Sequence, residues 1–224
     1  MSHGTATVDW TRRDKVMAGL VAVVGACPLH RQAAGSVFES LARSIASQQL
    51  NGTVARRILE RLEMLHGGRF PTPDELLGCP VETLRGAGFS FAKIAALQDL
   101  ARRTLDGSLP PDAVLEGLDD EAVIAHCCTV RGIGRWTAEM LLMFHLGRPD
   151  VLPVGDFGVC NGFRLAYGLK GMPRPKALLA FGERWRPCRS AAAWTLWRAV
   201  DLHREGRLPE RPGRAPRIAQ VPAR

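Results

Sequence analysis

The sequence predicts an all-α protein, on three observations. Alternating, β-branched segments that would read as strands are almost absent. Helix-start residues recur, with Ser36, Thr72, Ser90, Asp119 and Ser190 each placed just ahead of an apolar run. Those runs repeat at a spacing of three and four residues, not two. In chain order, Ser36 and Glu39 form a capping box before Phe38, Leu41, Ile45 and Gln49, which share one helical face. Gly52 and Thr53 open a second helix with Ile58, Leu62 and Leu65 inward, stopped by Gly67 and Gly68. Thr72 and Pro73 fit the cap and first turn of a short helix. Ser90 caps a helix carrying Ile94, Leu97, Ala101 and Leu105, ended by Gly107. Asp119 and Asp120 begin the next, with Val123, Ile124 and Cys127 apolar. Ser190 is expected to cap a late helix with Trp194, Trp197 and Val200 on one side.

Composition narrows the class of partner. The 224 residues are 46% hydrophobic, enough to bury a sizeable core. No apolar run reaches the ~18 residues of a membrane span, and no signal-peptide pattern opens the chain. A cytoplasmic monomer is expected, nucleoid-associated in a bacterial host. The formal net charge of +8 suits a polyanion such as DNA. The arginine-rich, lysine-poor balance also fits a GC-rich coding sequence, so charge alone does not decide. The six cysteines form no CxxC pair and read as reduced thiols. From about Glu205 to Arg224 the chain is rich in Pro and Arg without periodicity, and is expected to be disordered or draped on the surface.

The most informative stretch runs from Val130 to Ala138, Val-Arg-Gly-Ile-Gly-Arg-Trp-Thr-Ala. Two glycines around one aliphatic residue make a tight turn between helices, because glycine permits positive φ and close backbone approach. The helix that follows starts with unpaired amides from Gly134 to Thr137, which suit a phosphate oxygen. Ile133 would plug the turn into the core. Taken alone, the pattern is also that of an ordinary helix-helix turn.

Its continuation is more specific. Residues 131–159 read RGIGRWTAEMLLMFHLGRPDVLPVGDFGV. This segment resembles the helix-hairpin-helix (HhH-GPD) DNA glycosylase superfamily, most closely its 3-methyladenine DNA glycosylase II branch. The likeness extends more loosely from about Val37 to Trp197. It implies two helical subdomains flanking a cleft: residues 36–145 with the hairpin, and residues 1–35 plus 146–204 with the catalytic carboxylate, the tail 205–224 standing apart. The longer members carry an N-terminal β-domain, and none is expected here.

The resemblance places the catalytic aspartate at Asp156. The chemistry suits it: breaking an N-glycosidic bond leaves an oxocarbenium-like sugar, which a carboxylate stabilises while orienting or deprotonating water. Asp156 ahead of Phe157-Gly158-Val159 is also a good N-cap, and the two roles can coexist. Trp136, Trp197 and Met140 fall where the family lines its base pocket. Gln49 is the expected wedge, filling the hole left by a flipped nucleotide, with Gln48 as a brace nearby. Gly132, Ile133, Gly134, Arg135, Trp136 and Thr137 are the implied phosphate contacts. The carbonyls of Cys128, Val130 and Ile133 match those holding a monovalent cation in the family. Otherwise no cofactor is expected.

Departures from the family pattern carry information. Bifunctional relatives use a lysine where this chain has Trp136, so no lyase activity is expected. Only Cys188 lies beyond Cys160, so the four-cysteine iron–sulfur cluster cannot be built. Cys160 and Asn161 replace basic residues. The run Ala191-Ala192-Ala193 suggests a wide pocket and a broad lesion range. With no second carboxylate evident, a cationic leaving group such as an N3- or N7-alkylated purine is expected. The expected partner is thus double-stranded DNA with alkylated bases, 3-methyladenine and 7-methylguanine among them. Two other readings stay open: a non-catalytic hairpin DNA-binding protein, and a glycosylase for other damaged bases.

Overall fold

A computed structural model describes residues 9–28, 35–210 and 216–220. Its helices are α1 (Trp10–Arg13), α2 (Lys15–Val24), α3 (Val37–Ser47), α4 (Gly52–Met64), α5 (Pro73–Gly78), α6 (Val81–Ala87) and α7 (Phe91–Leu105). There follow α8 (Asp112–Gly117), α9 (Asp120–Cys128), α10 (Arg135–Met140), α11 (Phe157–Tyr167), α12 (Pro175–Gly182) and α13 (Arg189–Arg204). A π-helical turn, Leu141–His145, continues α10, and a 3-10 turn, Glu183–Trp185, follows α12. Among the described residues the β content is one isolated bridge, Pro173 with Gln220. The fold is all-α.

The helix starts follow from local chemistry. Thr72 and Glu75 close a full capping box at α5, with Pro73 at the first position. Ser90 and Asp119 cap α7 and α9 through side-chain oxygens, as Asn51 does for α4. At α3 only half of the expected box forms. The Ser36 hydroxyl accepts from Glu39 N–H at 3.2 Å, but the Glu39 carboxylate turns to Arg43 at 2.9 Å. Ser190 does not cap α13 as expected. Helix α13 starts at Arg189 behind Cys188, without a side-chain cap, and Ser190 lies inside its first turn. Its hydroxyl is taken by distant backbone, Arg148 and Val151.

The chain forms two compact units, residues 31–146 and residues 1–30 with 147–224; the sequence reading divides it at 35/36 and 145/146. The first unit is centred on α3 and α7. Phe38, Leu41 and Ile45 bury one face of α3, and Ile94, Leu97, Leu100 and Ala101 one face of α7. Both sets follow the helical period, so each helix hides a single stripe.

In the second unit α11 and α13 pack closely. A Cβ at Gly162 would fall 1.9 Å from the Leu196 carbonyl oxygen, so only glycine allows this approach. Beside them Phe163 and Tyr167 stack at 4.3 Å, and Phe181 and Trp185 meet that pair edge-on or tilted. The early segment is tied to this cluster by Asp14. Its carboxylate caps α2 and accepts from the Tyr167 hydroxyl at 2.6 Å and Trp185 Nε1–H at 3.0 Å. A buried carboxylate survives because several donors satisfy it. Burial, then the Asp14 charge, push the Tyr167 hydroxyl well above the usual tyrosine range.

Of the tail expected to be disordered or draped on the surface, residues 216–220 lie along residues 171–174. Arg174 N–H donates to the Ala219 carbonyl at 2.9 Å, and Gly171 N–H to Gln220 Oε1 at 2.7 Å. The parts of that expectation on residues 211–215 and 221–224 fall outside the described residues.

Candidate active site

Asp156 stands at the N-cap of α11, delivered there by a tight turn. Val154 N–H donates to the Leu152 carbonyl at 2.8 Å, and Asp156 N–H to that of Pro153 at 3.0 Å. Asp156 Oδ1 then accepts Val159 N–H at 2.7 Å, which starts the helix. The same oxygen accepts Trp197 Nε1–H, also at 2.7 Å. The indole reaches the carboxylate because residue 158 is glycine. A Cβ there would lie 2.7 Å from Trp197 Cδ1 and 3.0 Å from its Nε1. The carboxylate is thus fixed by a backbone amide and an indole, at the helix end that favours negative charge. The Cys160 thiol donates to the Val154 carbonyl at 3.2 Å. Burial, then the Asp156 charge, push it up to about 11.

The hairpin belongs to the other unit. Ile133 is buried, while Gly132, Gly134, Arg135 and Trp136 are exposed and Thr137 is buried. Gly132 has φ +79°, a conformation that glycine adopts without strain. Three contacts hold the turn. Ile133 N–H donates to the Val130 carbonyl at 3.1 Å, Arg131 N–H to the Asp99 carboxylate at 2.8 Å, and Gln48 Nε2 to the Gly132 carbonyl at 2.9 Å. Arg135 is gripped by two carboxylates, Glu121 at 2.9 Å and the buried Glu139 at 3.1 Å. A phosphate at Arg135 therefore competes with Glu121. Met140, partly buried, ends α10, and Trp136 is 50% exposed near its start.

Gln49 lies in the turn after α3 rather than on the helix, exposed and with φ +58°. It is the one non-glycine residue with positive φ among the described residues, a conformation that costs about 1 kcal/mol or more. Its neighbours hold the turn: Gln48 through Gly132, and Lys93 Nζ through the Ala46 carbonyl at 2.6 Å.

The HhH-GPD superfamily of base excision DNA repair proteins matches residues 42–187, a span that includes both the hairpin and the Asp156 loop. The chain belongs to this superfamily. It is 40% identical over 166 residues to DNA-3-methyladenine glycosylase 1 of Schizosaccharomyces pombe, covering 74% of this chain and 73% of that protein. The solved structure of that organism's 3-methyladenine DNA glycosylase (Mag1) with abasic DNA superposes with a TM-score of 0.74 at 36% identity, covering 84% of this chain and 97% of that one. A DNA-3-methyladenine glycosidase from Bacillus halodurans gives 0.79 at 35%, covering 87% and 88%.

Within this HhH-GPD chain the alanine run does not open a pocket as expected. Ala192 and Ala193 are completely buried in the second unit. Ala191 is partly exposed, but six residues before Trp197 it lies ~120° away around the helix. Arg198 pairs with Asp201 at 2.9 Å. Several of these contacts carry no sequence signal. No local motif marks the bond of Trp197 to a carboxylate 41 residues earlier, the grip of Asp99 on the hairpin, or the bonds of Ser190. Gly158, two residues past the aspartate, is the one available signal for a close approach. Among the described residues no group of three or more His, Cys, Asp or Glu is placed to hold a metal ion.

Proposed function

We propose that this HhH-GPD protein is a monofunctional DNA glycosylase that excises alkylated bases, 3-methyladenine and 7-methylguanine among them, in base excision repair. One observation carries the reading: Asp156, at the family's catalytic position, is held at a helix N-terminus by Trp197 and Val159. The names of its relatives point the same way.

The chemistry runs from the lesion to the carboxylate. An N3- or N7-alkylated purine is cationic, so it leaves without a proton from the enzyme. Positive charge then grows on the deoxyribose, and Asp156 stabilises it and directs water to the sugar. A carboxylate fixed before the reaction needs no reorganisation as that charge appears. Trp136 offers an electron-rich face to a flipped cationic base, with Met140 beside it on the same helix. The Trp197 indole N–H is committed to Asp156, so positioning the carboxylate is its first role.

Gln49 would enter the duplex as the wedge from its braced turn. Gly132 to Thr137 would meet the phosphate backbone of double-stranded DNA at the start of α10, reading no sequence. The carbonyls of Cys128, Val130 and Ile133 are hard oxygen donors suited to a monovalent cation there. Val130 already accepts one N–H, and a carbonyl oxygen has two lone pairs. When bound, the ion would neutralise phosphate charge. Trp136 in place of a hairpin lysine supports hydrolysis without strand cleavage, and the protein acting as a monomer is part of the same reading.

The test is incubation of the protein with duplexes that each carry one defined lesion, followed by alkali. Strand breaks at 3-methyladenine and 7-methylguanine only after alkali, and no borohydride-trapped protein–DNA adduct, are expected. Breaks before alkali contradict the monofunctional reading, and no breaks on any alkylated duplex contradict the glycosylase.

A further inference from the structure

Helix α13 touches the segment that carries Asp156 at two places two turns apart. At its first turn, two residues hold four consecutive residues of the loop 148–151. Ser190 Oγ donates to the Arg148 carbonyl at 2.7 Å and accepts Val151 N–H at 3.0 Å, while Ser190 N–H donates to the Pro149 carbonyl at 3.0 Å. Arg189 takes the residue between. Its Nε donates to Asp150 Oδ1 at 2.8 Å, and its Nη2 to the Asp150 carbonyl at 2.9 Å and to Oδ2 at 3.1 Å. Trp197 is seven residues beyond Ser190, ~10.5 Å along the axis and on nearly the same face. It holds Asp156 itself.

The stretch between these two anchors leaves the loop little freedom. Val151, Leu152 and Pro153 are buried, and Leu152 Cδ2 would lie 2.4 Å from a Cβ at Gly182. Five residues after Val151 comes Asp156. Ser190 is 2% exposed, so water does not replace its hydroxyl.

We propose that Ser190, with Arg189, is a positioning element for the catalytic carboxylate: α13 acts as a rigid ruler that fixes the start of the 151–156 segment through Ser190 and its end through Trp197. The inference rests on the glycosylase reading for its effect on rate, though not for its effect on the loop. Deleting the Ser190 hydroxyl leaves Val151 N–H without its partner and lets the segment shift. A displacement near 1 Å at a reacting group costs on the order of 10²-fold in rate.

Two measurements on Ser190→Ala test this. Hydrogen exchange, read by mass spectrometry, should quicken at least about tenfold across residues 151–159 and stay unchanged across hairpin residues 130–139. Single-turnover excision of 7-methylguanine should fall about 10- to 100-fold, while affinity for DNA with an abasic analogue stays within about twofold. Unchanged exchange at 151–159, or exchange rising equally in the hairpin, overturns the proposal whatever the activity. Rate and affinity falling together also overturns it, because that marks general loosening. Should Ser190→Ala fail to fold, Arg189→Lys, which keeps the charge and loses the fork on Asp150, is held to the same criteria. A wild-type protein inactive on every lesion would sink the glycosylase reading and leave the exchange result standing.

Discussion

Trp197 donates its indole N–H to Asp156 Oδ1 at 2.7 Å, across 41 residues of sequence. A hydrogen bond to a charged group is worth ~1.5–3 kcal/mol. Trp197→Phe keeps a large ring and loses the donor, so single-turnover excision should fall about 10- to 100-fold. Affinity for abasic-analogue DNA should change little. Equal losses in both would mean that the ring binds DNA more than it holds the carboxylate.

Gly158→Ala tests the same bond from the other side. The added Cβ would stand 2.7 Å from Trp197 Cδ1, so the indole must move. Excision should drop about as far as in Trp197→Phe, and the double variant should be little worse than either single one. Additive losses would show that Gly158 acts through something other than the indole.

The hairpin allows a cleaner separation of binding from folding. Gly134 has φ −107°, and a Cβ added there would meet nothing within 4 Å, so Gly134→Leu should change stability by no more than about 0.5 kcal/mol. A bulky side chain beside the amides of α10 should weaken binding to every duplex by a similar factor. Titration against lesion-bearing and undamaged DNA reads this. A changed preference between lesions with unchanged affinity would contradict the phosphate role.

Thiol chemistry gives a prediction about pH. Burial pushes Cys127 up to about 12 and Cys160 up to about 11, while Cys128 beside the hairpin is exposed. Iodoacetamide at pH 8 should therefore modify Cys128 and spare Cys127 and Cys160, as peptide mass spectrometry would show. Both buried thiols titrate higher folded than unfolded, where the usual value is ~8.5. Their contribution to stability is thus complete below ~8.5 and is lost as pH rises towards 11 and 12. Urea midpoints should fall across that window, and the fall should flatten in Cys127→Ala and Cys160→Ala. A midpoint independent of pH up to 11 would contradict the burial.

What the sequence made legible was mostly local. Caps at Thr72, Ser90 and Asp119 act within three residues of themselves, so their helix starts could be read directly. Ser190 has the same residue type and misleads, because its hydroxyl is spent on residues 148 and 151, about forty positions away. The Pro80 and Pro111 starts of α6 and α8 use no side-chain cap and gave no signal. The hairpin turn was readable from its two glycines, and Asp156 as an N-cap from the residues after it, while its catalytic role came from the family resemblance alone. The bond from Trp197 and the clamp of Glu121 on Arg135 were not, since tertiary pairing leaves no periodic trace. The alanine run misled for a related reason: small residues serve a widened pocket and a buried helix face equally well, and Ala192 and Ala193 are buried.

On the glycosylase reading, the charge of Asp156 carries the chemistry. Asparagine is as good an N-cap as aspartate, so Asp156→Asn keeps the start of α11 and removes the charge alone. The measurement is single-turnover excision of 7-methylguanine from a defined duplex, beside the affinity for the same duplex. Excision should be lost to background, with binding equal to wild type or tighter because one repulsive charge near phosphate is gone. Excision near the wild-type rate would contradict a catalytic Asp156.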